Sequence, residues 1–485
     1  MNLISSFLSL NEDNSKLISR RIFFPRSLVV SCAIIAFILW IFSFSRHFLL
    51  QSNAYDLGLF DQWLWLCSKL LTPISSMEDV HLLADHGAWL LYLAVPPYFL
   101  HPSPQWLLSS QAICLAFTAL PLYSLAVIYG LNKKLCWLIC GLWWLQPVVF
   151  NVNLFDFHPE VWGMPLLASS YICSKKNKLF LWLILLFLLL GCRDGLILIV
   201  LGLGIEQAFR KRWIWSALSI GMALIWLAFL NKFLYPLLTG SYAGPKAAAG
   251  LFSYLGNSFD QVIFNLFAKP YLIIQNVDWF GGLEYLLLIT IAILPFLRLS
   301  SLPILIGASP LIFVNFLSEQ APQRTLIHHY SLPIAVIVIV AVIESLSLSF
   351  SNSFPWKKLA WSSICWAMLA KPWFFTGPYL SRINHLNDAY KAINLVPKQG
   401  RVYTTSYLVP HLSHREFIDF PDNESSLINT KEIDVILLNP RDPGWGSNST
   451  VQNRLIADAK KEQWICSEWS SGLELCTNPL IDKRY

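Results

Sequence analysis

Five short stretches of this 485-residue chain carry residues whose types and spacing could do chemistry. The first reads Asn53-Ala54-Tyr55-Asp56-Leu57-Gly58-Leu59-Phe60-Asp61-Gln62, two carboxylates among aromatics just beyond an apolar run. On a helix, residues five apart point about 140° from each other. Asp56 and Asp61 would then face apart, one toward a site and the other toward a structural partner; solvated acids in an interfacial loop are the plainer alternative. Asp85-His86 sets a carboxylate beside an imidazole, which can bind a metal or a phosphate or relay a proton. A capping Asp and a snorkelling His would look the same. Asp156-Phe157-His158-Pro159-Glu160 offers three oxygen or nitrogen ligands in five residues, pinned by Pro159. Such a set could hold a divalent metal ion, although its spacing matches no standard zinc signature; the alternative is a polar loop with a helix start at Pro159. Cys192-Arg193-Asp194-Gly195 interrupts an apolar stretch, and Arg324, His328, His329 and Tyr330 gather before another. Cationic, hydrogen-bonding groups at headgroup level suit a phosphate, or simple interfacial anchoring.

The elements that must position these residues are membrane helices. The chain is 55% hydrophobic and 13% charged, against about 25% charged in a soluble domain. Its 21 Trp and 17 Tyr suit two membrane interfaces. A net charge of +6 is modest and does not read as nucleic-acid binding. A crossing needs roughly 20 apolar residues. The candidate runs are 27–45, 105–130, 135–151, 160–174, 179–192, 195–209, 213–231, 281–297, 302–317, 330–348 and 357–375, about eleven transmembrane helices. The broken run 87–100, with Pro96 and Pro97, reads as interfacial or re-entrant.

Basic residues set the orientation. With residues 1–26 as a cytoplasmic tail, Lys133–Lys134, Lys175–Lys176–Lys178, Arg210–Lys211–Arg212, Arg298 and Lys357–Lys358 all fall on the side of Arg20 and Arg21. The C-terminus then lies outside the cytoplasm, in a multi-pass protein of the plasma membrane. Between residues 27 and 375 only Glu206 and Glu344 among the acids fall inside; twelve others and every histidine fall outside. The positive-inside rule does not demand this of acids, so a polar site on the outer face is expected. The stretch 179–209 must cross twice, yet 31 helical residues rise only about 46 Å against about 60 Å for two full crossings. The turn at Arg193-Asp194 should sit below the surface, where charged groups face a cavity and pair with each other or a ligand.

After Thr376 the composition is that of a soluble domain, so residues 27–376 read as the membrane domain and 377–485 as a small α/β domain. Val402–Tyr407, Glu416–Phe420 and Asp434–Asn439 read as strands, Thr450–Lys461 as a helix and Trp464–Thr477 as a hairpin. A three-residue loop, Ser470-Ser471-Gly472, would set Cys466 opposite Cys476, with Gly where that hairpin wants it. A disulfide there suits an extracytoplasmic location.

Tyr55-Asp56-Leu57-Gly58-Leu59-Phe60-Asp61-Gln62, Asp85-His86 with Pro96-Pro97, Phe155-Asp156-Phe157-His158-Pro159-Glu160, His329-Tyr330 and His411-Leu412-Ser413-His414-Arg415 together resemble a bacterial predicted-membrane-protein family, domain of unknown function 2079, over most of residues 27–420. That family in turn looks like the C-type (GT-C) glycosyltransferases, which use polyprenyl-phosphate sugars. The resemblance implies an acid in the first outer loop, supplied by Asp56, and a second acid after the third span, supplied by Asp156. It implies a basic residue ahead of a Pro-rich segment, supplied by His86. The compact acidic pair of those enzymes is here spread over Asp56 and Asp61.

The function expected on these grounds is transfer of a sugar from a polyprenyl-phosphate donor on the extracytoplasmic face. Asp56 and Asp156 are the catalytic candidates. Asp61, His86, Arg193, Asp194, Arg324, His328 and His329 are the substrate-binding candidates, and Asp156, His158 and Glu160 would hold a divalent metal ion. Expected partners are the lipid bilayer and the donor lipid. A transporter or flippase for a lipid-linked or anionic solute is the alternative.

Overall fold

A computed structural model describes residues 24–239, 250–348, 353–422 and 432–480. Most of the expected N-terminal tail, with Arg20 and Arg21, lies outside the described residues.

Among the described residues the chain is mostly helical. Four helices are long and apolar enough to cross a membrane: Arg26–Phe48, Gln105–Ile128, Trp213–Thr239 and His329–Ser347. The count rises to seven if each of three bent pairs is one span: Lys133–Trp144 with Pro147–Leu154, Pro270–Asn276 with Trp279–Ile291, and Leu299–Ile306 with Ser309–Leu317. About eleven were expected. The difference lies in runs that the backbone divides or shortens. The run 135–151 bends by 42° ahead of Pro147, where a proline cannot donate to the preceding turn. Glu160–Lys175, Leu179–Leu190, Ile197–Phe209 and Trp356–Leu369 have 16, 12, 13 and 14 residues, short of the roughly 20 of a full crossing.

The chain divides into two compact units. The first takes Met1–Leu39, Ser110–Asn153 and Pro159–Lys371. Its central helix, Leu332–Ser347, is buried from Leu332 through Ile343 and packs on Glu160–Lys175, Lys133–Trp144 and Ala119–Ile128. A helix apolar all round belongs in such a place. Glu206 and Glu344 both reach Arg210, at 2.9 and 3.3 Å.

The second unit takes Trp40–Ser109, Leu154–His158 and Pro372–Tyr485. It groups the residues after 377 with two earlier segments. Polar ties within this unit join them. Gln62 Nε2 donates to Ser76 Oγ at 2.8 Å and to the Arg415 carbonyl at 3.2 Å, and Ser76 Oγ donates to the Ile418 carbonyl at 2.7 Å.

The unit contains a short hairpin of β1 (Ile74–Ser75) and β2 (Val80–His81), and a five-stranded sheet. The sheet's strands are β3 (Val402–Thr404), β4 (Ile418–Asp419), β5 (Val435–Leu438), β6 (Ile465–Glu468) and β7 (Glu474–Thr477), in the order β4-β3-β5-β7-β6. β3 runs parallel to β4 and β5, while β7 is antiparallel to β5 and β6. Central β5 is buried throughout. The helix Ser449–Lys461, capped by the Asn448 side chain, lays Leu455, Ile456 and Ala459 on Ile436, Leu438 and Cys476. The hairpin closes as its sequence implied. The Trp469 N–H donates to the Leu473 carbonyl at 2.9 Å, Gly472 takes φ +87°, and Cys466 faces and bonds Cys476.

Candidate functional site

The second unit holds the first part of the site. Leu154–His158 joins two helices through Asp156, whose φ is +67°. Aspartate is one of the few residues that enters this region at modest cost. The turn aims the Asp156 carboxylate at Arg46, in the last turn of Arg26–Phe48, and at the Asn53 N–H, 3.0 Å away. The ion pair is buried, with Asp156 only 2% exposed. Burial pushes the Asp156 carboxyl up from its ordinary value and Arg46 opposes that shift.

Asn53 also starts the next element. Its side chain accepts from the Ala54 N–H and caps a five-residue π-helix, Ala54–Gly58. Such single turns recur at functional sites. This one carries Asp56, whose Oδ1 lies 3.3 Å from His158 Nε2. The His158 side chain is 3% exposed and Asp56's is 28% exposed, so the carboxylate is the member of the pair that meets solvent. Phe155 stacks on the His158 ring.

Asp61 faces elsewhere, as the helical spacing required. It is fully buried. Tyr98 donates to Oδ1 at 2.6 Å, Ser413 donates to Oδ2, and His414 Nε2 lies 2.9 Å from Oδ2. The carboxylate raises the His414 imidazole against its burial. These contacts are those of the structural partner that one of the two carboxylates was expected to have. His411, from the same tail segment, stacks on His47.

His86 Nε2 sits 3.2 Å from Asp85 Oδ2, and both side chains are partly exposed. Glu78 joins this group. Enclosure and then Asp85 push its carboxyl up to about 7, with His86 opposing and Asp56 adding. The residue's surface is exposed, so solvent screening tempers the effect. Beside Asp56, the Tyr55 ring meets Phe420 and Trp445 edge-on, with centroids 5.1 and 5.2 Å away.

The first unit holds the remaining candidates. Arg193 donates to Glu160 Oε1 at 2.6 Å and lies 2.7 Å from His329 Nε2, which is itself 3.1 Å from Glu160 Oε1. The Arg193 guanidinium stands over the Tyr330 ring. Asp194 accepts from the Tyr235 hydroxyl at 3.2 Å. Arg324 donates to the Ser318 carbonyl and to Asp278 at 3.2 Å, and His328 Nδ1 is 2.7 Å from Thr325 Oγ1.

The expected metal ligands Asp156, His158 and Glu160 each have another side chain as partner. They turn to Arg46, Asp56 and Arg193 respectively, and among the described residues no three His, Cys, Asp or Glu side chains are grouped to hold one. Asp156 takes the left-handed turn and Glu160 starts the next helix.

Three features escaped the sequence reading: Arg46, the place of Glu78, and the rings of Phe420 and Trp445. Only Arg46 left a signal, as a charge in the last turn of an otherwise uncharged apolar run. A family model described as "Predicted membrane protein (DUF2079)" matches residues 46–475. No curated protein matches the chain.

Proposed function

The chain belongs to the DUF2079 family of predicted membrane proteins, and from that premise we propose that it transfers a sugar from a polyprenyl-phosphate donor to an acceptor hydroxyl on the extracytoplasmic face. The observation that carries this reading is the Asp56–His158 pair, a half-open carboxylate backed by a buried imidazole. Asp56 takes the acceptor's proton; the freed oxygen bonds to the sugar's anomeric carbon; the bond from that carbon to the phosphate oxygen breaks, and polyprenyl phosphate leaves as an anion. His158 orients the carboxylate. The turn held by Arg46 and Asp156 fixes His158 in place, since catalytic groups must be held by a rigid second layer. Taken by itself, the helical unit holds the Arg193 guanidinium beside His329, a charge of the kind that suits an anionic lipid headgroup.

The outer-face assignment rests on the one-sided distribution of Lys and Arg. It places both the C-terminal sheet and its disulfide outside the cytoplasm. The Glu160–Arg193–His329 cluster also favours a second reading, because ionisable groups on membrane helices mark solute paths. A transporter would use it without breaking a bond. Purified protein in liposomes, given a panel of labelled polyprenyl-phosphate sugars, separates the two. Release of polyprenyl phosphate with label on an acceptor supports transfer. Label crossing the bilayer on an intact donor would establish the transporter instead.

A further inference from the structure

We propose that the ring cluster of Tyr55, Phe420 and Trp445, with the carboxylates of Asp56, Glu78 and Asp419, binds a ligand carrying a positively charged ammonium group. The three rings meet pairwise, at centroid separations of 5.1, 5.2 and 6.1 Å. Phe420 is the buried member, 4% exposed, while Trp445 is 56% exposed. An indole is a large apolar surface to leave in water. It is held out by its neighbours, Gly444 and Gly446, both in the left-handed region at φ +74° and +78°. A Cβ on Gly446 would come within 3.3 Å of the Phe420 ring, and one on Gly444 within 2.6 Å of Ser406 Oγ. The backbone on both sides of Trp445 thus lies close to the residues beneath it, while the indole stays more than half exposed.

Carboxylates flank two of these rings along the chain. Asp56 follows Tyr55 in the π-helix. Asp419 precedes Phe420 and is anchored by the Tyr403 hydroxyl at 2.9 Å and by the Phe420 N–H at 2.8 Å. Burial first, and then Glu78, Asp419 and Asp422, push the Tyr55 hydroxyl up. An anionic ligand would be repelled. A neutral ring would gain the stacking alone. An ammonium group gains both the π face and the carboxylates, which is the arrangement that recognises organic cations. The ammonium could belong to an amino sugar or to an ethanolamine lipid headgroup.

The inference rests on the proposed function only in making this ligand the acceptor, and it is tested without donor. Full-length protein in phosphatidylglycerol nanodiscs is titrated with glucosamine, N-acetylglucosamine and ethanolamine, read by saturation-transfer NMR. Glucosamine should bind, and N-acetylglucosamine, which lacks the charge, should bind about tenfold more weakly. Trp445→Ala and Glu78→Gln, both at exposed positions, should each weaken glucosamine to a similar degree, with Trp445→Phe recovering part of the loss. Ethanolamine competing as well as glucosamine supports the headgroup source, and glucosamine alone supports the amino sugar. Equal binding of the acetylated and free amines, binding by neither, or unchanged binding in both variants overturns the proposal. Loss of sugar transfer with ammonium binding intact would sink the proposed function and leave this inference standing.

Discussion

Arg46 and Asp156 lie 110 residues apart in sequence and form one buried ion pair. That pair fixes the backbone on both sides of the Asp56–His158 contact, since Asp156 also accepts from the Asn53 N–H. Removing one partner of a buried pair leaves the other charge desolvated and costs about 3–5 kcal/mol. Arg46→Ala should therefore lower the unfolding temperature of the purified protein by many degrees, and Arg46→Met with Asp156→Leu should recover part of the loss. Equal stability of Arg46→Ala and the natural protein would show that the pair holds nothing in place.

Asp56 and Asp61 should fail in different ways. Asp56 is partly open and stands at His158, so Asp56→Asn should cut turnover by about 10²–10⁴-fold, the range of general-base contributions, with stability unchanged. Asp61 is buried under three donors. Asp61→Asn should cost about 1–3 kcal/mol of stability while the fraction that stays folded keeps its turnover. Turnover assays normalised to folded protein distinguish the two. An Asp61→Asn enzyme that is stable but inactive would reverse the assignment.

How much of this was legible depended on the range of each interaction. The Asp56–Asp61 divergence followed from helical geometry within six residues, and the Cys466–Cys476 bridge from one hairpin loop. The strands of the sheet were found in place, each a residue or more shorter than its apolar run. Long-range facts were not available. Nothing near Asp156 names Arg46, and nothing near Glu160 names Arg193, because both pairings are made by packing rather than by spacing. The expected eleven spans are not confirmed for a related reason. An apolar run and a continuous helix are not the same thing where the run bends ahead of Pro147 or where a helix such as Leu179–Leu190 has only 12 residues.

The Cys466–Cys476 bridge closes a loop of ten residues, which by the chain-entropy account contributes about 2–3 kcal/mol. Reduction should shift the mobility of a C-terminal fragment, and neither thiol should alkylate before it. A reporter fused after Tyr485 should be active outside the cytoplasm, where the bridge can form. Alkylation of both thiols without reductant, or a cytoplasmic reporter signal, would contradict the orientation together with the bridge.

His411 gives the protein an acid limit. Burial lowers its imidazole from the ordinary 6.5 to about 4. The unfolded chain thus binds a proton between those values that the folded chain does not. Stability from this group is complete above pH 6.5 and is lost progressively as pH falls toward 4. His411→Phe, which can still stack on His47, should flatten the stability profile across that window and leave it alone above pH 7. Thermal unfolding followed at half-unit pH steps measures this, and an unchanged acid slope would assign the sensitivity to another group.

Glu160 and Arg193 should behave as one unit. Arg193 has the Glu160 carboxylate at 2.6 Å and the His329 ring at 2.7 Å, with Tyr330 under its guanidinium. Glu160→Gln removes the negative charge and leaves the guanidinium against an imidazole. Arg193→Gln leaves the carboxylate, 4% exposed as a residue, without its strongest donor. Each single change strands a charge that the low-dielectric surroundings cannot solvate. The double change strands none. The two losses should therefore not add: the double variant should be more stable than their sum predicts, by a coupling of about 0.5–3 kcal/mol. Arg193→Lys tests the geometry as well as the charge, since an ammonium cannot reach both neighbours from one planar fork; it should keep part of the stability and lose binding of an anionic lipid headgroup. Strict additivity of the single variants, or headgroup binding retained in Arg193→Gln, would remove Arg193 from the role proposed for it.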